Sequence, residues 1–194
     1  MQLVFASNNR HKIQEIQNLV PSWMSIKSLQ DIGCTEDIPE TADTIEGNAI
    51  LKATYVTPKY GYNCFADDSG LEIMHLNGAP GVHSARYAGN HKNDHDNCTK
   101  VLAALDGVTN RAAQFKTVIA LHLNGQEHLF TGIIGGTITH TARGTGGFGY
   151  DPIFQPNGYE VTFAEMNQSE KSAISHRGIA VRQLITFLQS MTEV

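Results

Sequence analysis

The spacing of apolar residues predicts the first elements of the chain. Residues 3–6 form a short apolar run, typical of a buried strand, and Ile13, Ile16 and Leu19 then recur on one face of a predicted helix that stops before Pro21. The chain therefore opens with a strand and a helix.

A predicted loop and a second helix follow. Residues 31–43 are polar and contain Pro39, which favours a loop. Thr44 is the predicted N-cap of a helix that passes through Lys52, because a threonine hydroxyl can accept a hydrogen bond from the free N–H groups of the first turn.

The middle of the chain predicts two strand segments, an irregular stretch and a helix. Residues 62–66 form a short predicted strand that ends in the sequence DDSG, after which residues 71–74 resume strand character. Residues 78–97 are rich in Gly, His and Asn and are predicted to be irregular. Residues 98–105 have the spacing of an amphipathic helix, closed by Gly107.

A β-hairpin is the clearest local prediction. Polar and apolar residues alternate over 115–123, Asn124-Gly125 supplies a two-residue turn, and residues 128–134 return. The last predicted helix begins near Ser175 and turns these residues towards the core: Val181, Leu184, Ile185 and Leu188.

Composition and charge exclude several classes of protein. The chain has 194 residues, 41% of them hydrophobic, so we expect one folding unit over residues 1–194. A net charge of −5 argues against a long electropositive surface for a nucleic acid polymer. The isolated Cys34, Cys64 and Cys98 indicate neither a zinc site nor a disulfide framework and favour a reducing cytoplasm. No signal peptide and no membrane span of about 20 residues is predicted.

Two polar motifs lie at predicted ends of strands. In SNNRHK, backbone N–H groups, the helix dipole and Lys12 could bind a phosphate, although an ordinary strand-to-helix turn fits equally well. In DDSG, strand alternation places Asp67 and Asp68 on opposite faces, so we expect them to have different roles. With Glu40, one of them could hold Mg²⁺, which prefers hard oxygen ligands; the alternative is a turn that caps its own backbone.

A glycine-rich segment, GTGGFGYDP, spans residues 144–152. Its glycines either let the backbone approach a ligand or permit positive φ in a tight turn. Phe148 could stack on a flat heterocycle, while the Asp151 carboxylate could accept hydrogen bonds from ring N–H groups.

Two further polar segments have simpler interpretations beside functional ones. Lys171, His176 and Arg177 in EKSAISHRG supply donors that suit a phosphate or a carbonyl, or else form a solvated basic helix end. His91 and His95 have helical spacing, but their Asn, Lys and Asp neighbours indicate a solvated segment and not a metal site.

Seven motifs in order resemble the inosine triphosphate pyrophosphatase family. They are SNNRHK, PET, GNAILKA, FADDSGLEI, GAPGVHSARYAG, GTGGFGYDPIF and EKSAISHRG. Together they cover nearly the whole chain, which makes the resemblance far more specific than any one motif. It implies Mg²⁺-dependent hydrolysis of ITP, dITP and XTP to the monophosphate and pyrophosphate, which cleanses the nucleotide pool.

The resemblance also implies a fold and an assembly. The expected fold is mixed α/β, with a long curved central sheet and flanking helices that form two lobes around a cleft. The expected protein is a cytoplasmic homodimer that binds a small nucleotide, with neither a nucleic acid polymer nor a membrane as partner.

The family motifs assign roles to individual residues. Glu40 and Asp68 match metal ligands, and Asp68 also matches the general base. We expect Lys12, Lys52 and Lys171 to hold the phosphates. We expect Asp151, His176 and Arg177 to bond the edge of the base. A donor from His176 or Arg177 that faces position 6 would bond the keto oxygen of hypoxanthine or xanthine and reject the amino group of adenine. The full set of expected substrate-binding residues is Ser7, Asn8, Asn9, Arg10, His11, Lys12, Lys52, Ser69, Phe148, Gly149, Tyr150, Asp151, Lys171, His176 and Arg177.

The sequence departs from the family pattern at two places. Ser7-Asn8-Asn9 stands where relatives often have T-G-N, and Asn tolerates the left-handed conformation better than other non-glycine residues. Gly47 stands where relatives often carry Glu.

Two other functions stay open at this point. One is a nucleotide-binding sensor without catalysis, against which the clustered Glu40, Asp67 and Asp68 argue, because a binder of polyanions has no need of them. The other is a related pyrophosphatase with a different base preference, such as one for modified pyrimidines.

Overall fold

The computed structural model describes residues 1–192, which form six strands and five α-helices within that range. The strands are β1 (Gln2–Phe5), β2 (Ser25–Lys27), β3 (Cys64–Ile73), β4 (Ala112–Leu123), β5 (Gln126–Ile138) and β6 (Phe154–Pro156). The helices are α1 (Arg10–Gln17), α2 (Ile45–Tyr60), α3 (Asp94–Ala104), α4 (Gln168–Ile174) and α5 (His176–Thr192). Short 3-10 helices lie at Gln30–Ile32, Met74–Leu76, Gly81–Arg86, Asp151–Ile153 and Phe163–Glu165.

The strands form one mixed sheet in the order β2-β1-β3-β4-β5-β6. Strand β1 is parallel to β2 and to β3, whereas β5 and β6 are antiparallel. The predicted mixed α/β class is therefore confirmed.

The chain divides into two compact units, each discontinuous in sequence. Unit 1 comprises residues 1–68, 117–132 and 177–194, and unit 2 comprises residues 69–116 and 133–176. Strands β3, β4 and β5 each contain residues of both units. The expected single domain over residues 1–194 stays a prediction.

Each unit has its own apolar core. In unit 1, residues of β1, β3 and β4 pack with helix α5, whose Val181, Leu184 and Leu188 are buried and whose Ile185 is partly buried, as predicted. In unit 2, helix α3 packs through Cys98 and other apolar residues against a cluster of aromatic side chains: Phe115, Tyr150, Phe154 and Phe163.

Local signals in the sequence explain several element boundaries. Asn124 and Gly125 have φ of 51° and 81°, which a two-residue hairpin turn requires and which Asn and Gly adopt most easily. The hydroxyl of Thr44 accepts a 3.0 Å hydrogen bond from the N–H of Gly47 and caps α2, as predicted. A Cβ on Gly47 would lie 2.6 Å from that of Ala42, so the packing of this cap requires glycine there.

Two predictions of secondary structure were wrong, and two elements were missed. Residues 67–70 do not form a turn at a strand end, because DDSG lies inside the continuous strand β3. Residues 78–97 are not wholly irregular, since they include the 3-10 helix Gly81–Arg86 and the start of α3. Strand β2 and helix α4 were not predicted. No helix within residues 1–192 has both the length and the apolar character to cross a membrane.

Candidate functional site

The first polar motif leads from β1 into helix α1 and is held by its own side chains. The Asn9 side chain accepts hydrogen bonds from the N–H groups of His11 and Lys12 at 3.0 and 3.2 Å, and Ser7 Oγ accepts one from the Asn9 N–H at 3.2 Å. These N–H groups, which were predicted as possible donors to a phosphate, therefore donate to the side chain of the N-cap residue. The motif also contains two cations, Arg10 and Lys12. Side chains of Asn8 and Arg10 are exposed.

Asp67 lies on β3 at the centre of a buried ion network in unit 1. Its Oδ2 is 3.0 Å from Lys12 Nζ and 3.1 Å from Arg177 Nε, and its side chain is fully buried. Arg177 Nη1 also pairs with Glu15. Burial alone would raise the pKa of Asp67, but Lys12 and Arg177 outweigh burial and lower it well below its ordinary value.

Asp68 has a different partner, as strand alternation predicted. Its Oδ1 lies 3.3 Å from Lys52 Nζ, which is 2.7 Å from Glu40 Oε1. Burial raises the pKa of Asp68 against the opposing effect of Lys52. Burial would lower the pKa of Lys52, yet the surrounding carboxylates outweigh it and raise that pKa, so Lys52 stays charged.

Glu40 and Asp68 are suitable ligands for a divalent cation. Both carboxylates contact the same ammonium, that of Lys52. Residues 1–192 contain no group of three or more acidic, His or Cys side chains that could hold a metal. Two carboxylates suffice for Mg²⁺, because it retains waters and takes its other ligands from substrate phosphates.

The glycine-rich segment lies in unit 2, and the protein's own packing requires two of its glycines, Gly144 and Gly147. Gly144, Gly147 and Gly149 have φ of 81°, 71° and 62°. A Cβ on Gly144 would lie 2.5 Å from the carbonyl carbon of Ala164, and one on Gly147 would overlap the Asp151 carboxylate. Positive φ and close internal packing thus account for these two glycines.

Asp151 joins the glycine-rich segment to helix α4. Its Oδ2 accepts hydrogen bonds from the Phe148 N–H at 2.9 Å and from Lys171 Nζ at 2.6 Å. The Lys171 ammonium also lies 4.8 Å above the Phe148 ring and 5.7 Å from the Phe163 ring. Phe148 is half-buried, so part of its surface is accessible to a flat ligand.

The other predicted residues of unit 2 have varied environments. His176 is buried and its ring stacks on Phe115 at 4.6 Å with an angle of 9°. Tyr150 is buried and donates a 2.6 Å hydrogen bond to the Ser84 carbonyl, which gives it a structural role. Ser69 is half-buried on β3 and follows Asp68 directly.

The predicted site residues thus form two clusters. Unit 1 contains residues 7–12, Glu40, Lys52, Asp68 and Arg177, and unit 2 contains Ser69, Phe148, Gly149, Tyr150, Asp151, Lys171 and His176. The boundary between the units separates Asp68 from Ser69 and His176 from Arg177, which are consecutive in sequence. Lys171 belongs to unit 2, whereas Lys12 and Lys52 belong to unit 1.

Sequence reasoning missed three residues with clear roles in these clusters. Glu15 pairs with Arg177, and its position one helical turn after Lys12 was the only signal for it. Asp94 and Cys98 on α3 contact Gly149, more than 50 residues away, and no sequence pattern indicates this. His91 and His95 are exposed, as predicted, and His91 pairs with Asp96.

Comparisons with known proteins identify relatives over nearly the full chain. The model of the Ham1 family matches residues 3–187. A dITP/XTP pyrophosphatase of Flavobacterium psychrophilum is 64% identical over 190 residues, which is 98% of this chain and 100% of the relative.

Solved structures agree with these matches. A HAM1 protein from Coxiella burnetii has a TM-score of 0.91 and 41% identity over 98% of this chain and 99% of its own. The Ham1 protein of Staphylococcus aureus has a TM-score of 0.90 and 38% identity over 98% of this chain and 100% of its own. The resemblance to the inosine triphosphate pyrophosphatase family is confirmed.

Proposed function

Because the chain belongs to the Ham1 family, we propose that it hydrolyses deaminated purine nucleoside triphosphates to the monophosphate and pyrophosphate. The observation that carries the proposal is the pair of carboxylates, Glu40 and Asp68, gathered around Lys52. The name dITP/XTP pyrophosphatase, borne by a relative with 64% identity, supports the choice of substrate.

The unit 1 cluster suits the phosphate end of the substrate. Lys12 and Lys52 supply two cations held by carboxylates, and such held cations can bind phosphate oxygens with little loss of side-chain entropy. Asp68 is the candidate general base, because the family motif assigns it that role and its carboxylate lies beside Lys52 in this cluster.

Glu40 and Asp68 would hold the divalent cation, for which we propose Mg²⁺. When bound, the ion neutralises phosphate charge and stabilises the charge that develops at phosphorus. The hard oxygen donors of the two side chains match this ion better than Zn²⁺, which is usually bound with His or Cys.

The unit 2 cluster suits the base. Phe148 offers a face for stacking, and Lys171 and His176 supply donors that can bond the 6-keto oxygen of hypoxanthine or xanthine. Adenine presents an amino group there, which leaves the donors without a partner and disfavours ATP by about 1–3 kcal/mol per unmade bond. Arg177 contacts Asp67 and Glu15 in unit 1, and its assignment to the base stays a prediction.

The remaining parts of the proposal concern assembly and location. The family resemblance supports a homodimer, which sedimentation equilibrium would test. The buried free thiols of Cys34, Cys64 and Cys98 agree with the reducing environment of the cytoplasm, which cell fractionation would test. We propose no nucleic acid polymer and no membrane as partner.

Pyrophosphate release from a panel of nucleotides tests the function. The panel contains ITP, dITP, XTP, ATP, GTP, dUTP and dTTP, each with Mg²⁺. We expect the highest kcat/KM for the three deaminated purine nucleotides. Preference for dUTP or dTTP would indicate a related pyrophosphatase with another base preference. Binding of ITP without release of pyrophosphate would indicate a sensor.

A further inference from the structure

Helix α3 holds Gly149 of the glycine-rich segment through both polar groups of that residue. Asp94 Oδ2 accepts a 2.7 Å hydrogen bond from the Gly149 N–H, and Cys98 Sγ donates to the Gly149 carbonyl at 3.4 Å. Asp94 and Cys98 are four residues apart, so they project from the same face of the helix. Both contacts lie within unit 2.

The backbone of the segment is fixed at two consecutive residues. The Phe148 N–H is bonded to Asp151, and the Gly149 N–H to Asp94. Gly149 has φ of 62°, and a Cβ there would meet nothing within 4 Å. A side chain at Gly149 would therefore meet no neighbour, and the Gly149 backbone is bonded to α3 through both its N–H and its carbonyl.

We propose that Asp94 is a positioning residue for the base of the substrate. By holding Gly149, it fixes the orientation of the neighbouring Phe148 ring, which lies over the Lys171 ammonium on one side. Without Asp94 the segment samples other backbone conformations, and the ring must be ordered again when the nucleotide binds. This inference rests on the proposed function, in which Phe148 stacks on the base.

Asp96 provides a matched control. It is in the same first turn of α3, so replacing it removes the same charge from the same end of the helix. Its carboxylate contacts His91 and His95, whose side chains are both exposed. It has no contact with Gly149 among those that hold the glycine-rich segment. Any effect specific to Asp94→Ala therefore arises from its bond to Gly149.

The first experiment compares the steady-state kinetics of wild type, Asp94→Ala, Asp94→Asn and Asp96→Ala with ITP and Mg²⁺. Asp94→Ala is expected to raise KM by on the order of tenfold, the effect of one hydrogen bond to a charged acceptor, with kcat within about twofold. Asp94→Asn retains an acceptor oxygen and should restore most of the affinity. Asp96→Ala should match wild type.

A second measurement does not depend on catalysis. Amide hydrogen exchange of residues 144–150 in the free protein should be faster in Asp94→Ala than in Asp96→Ala, while circular dichroism shows both to be folded. The proposal is overturned if Asp94→Ala matches Asp96→Ala in KM, or if kcat falls as much as KM rises. If wild type releases no pyrophosphate from any nucleotide, the proposed function fails, and hydrogen exchange still decides whether Asp94 holds the segment.

Discussion

The lysines of the two units have different surroundings. In unit 1, Lys12 and Lys52 lie among carboxylates; in unit 2, Lys171 lies beside the Asp151 carboxylate and two aromatic rings. Carboxylates can share a divalent ion with the phosphates of a nucleotide, and an aromatic ring can stack on a flat heterocycle. We therefore propose phosphate chemistry for unit 1 and base selection for unit 2.

The ion network of unit 1 supports this proposal. Four carboxylates, Glu15, Glu40, Asp67 and Asp68, contact three cations, Lys12, Lys52 and Arg177. A divalent ion bound at Glu40 and Asp68 would add positive charge to this network, which favours the binding of a polyphosphate.

Of the tests of this comparison, removal of the metal should have the largest effect on activity. We expect EDTA to abolish pyrophosphate release and Mg²⁺ to restore it, with no requirement for Zn²⁺, because Glu40 and Asp68 offer only oxygen ligands. The assay is pyrophosphate release from ITP after chelation and dialysis. Full activity of the enzyme after chelation would contradict the proposal that Glu40 and Asp68 bind a metal ion.

Adjacent residues of β3 offer the next test. Asp68→Asn should lower kcat to less than about a tenth of wild type, because it removes a ligand charge and the candidate base at nearly constant volume. Asp67→Asn makes the same chemical change one residue earlier, where it leaves Lys12 and Arg177 without their shared carboxylate and should chiefly lower stability. Kinetics and urea unfolding of both variants measure the two effects. Equal kcat in wild type and Asp68→Asn would contradict the central role of Asp68.

The hairpin was predicted correctly and the DDSG turn was predicted wrongly, and this difference shows what a sequence can predict. The hairpin was predicted correctly because its signal is local, in the conformations that Asn124 and Gly125 adopt. The DDSG segment looked like a turn, since Asp, Ser and Gly are poor strand formers. Cations from distant parts of the chain, Lys12 and Arg177 among them, stabilise these carboxylates inside the strand.

The candidate site shows the same limit. Motifs identified Lys12, Glu40, Lys52 and Asp68, and the structure brings these together in unit 1. The sequence could not show which charged residues neutralise one another, because pairing depends on tertiary contacts. Arg177 was expected to bind a base, yet its neighbours are carboxylates.

Replacement of the buried cations separates their roles. Lys171→Met and Arg177→Ala each leave a buried carboxylate without its cation and should each lower the free energy of unfolding by about 3–5 kcal/mol. Lys171→Met should also narrow the ratio of kcat/KM for ITP over ATP by on the order of tenfold, because it removes a donor beside Phe148.

Arg177→Ala should lower kcat/KM for ITP and ATP equally if Arg177 acts only through Asp67 and Glu15, and should lower it more for ITP if Arg177 bonds the base, as the sequence predicts. Unfolding curves and kinetics with both nucleotides, at a temperature where each variant is folded, decide the matter. A selective loss of ITP activity in Arg177→Ala would return that residue to base recognition.

The smallest expected effect concerns the alkylation rates of two buried cysteines, Cys64 and Cys98. Burial raises the pKa of Cys64 in unit 1 and of Cys98 in unit 2 to about 12, so at pH 8 only about 10⁻⁴ of each thiol is ionised and both should be alkylated slowly. Raising the pH to 10 increases the thiolate fraction and should speed both reactions by about a hundredfold.

Because Cys98 donates to Gly149, a nucleotide that orders the glycine-rich segment should slow alkylation of Cys98 a few-fold and leave the alkylation rate of Cys64 unchanged. Mass spectrometry of labelled peptides, with inosine monophosphate in EDTA, measures both rates. Equal protection of both thiols would show that the ligand stabilises the whole fold and not the base site of unit 2.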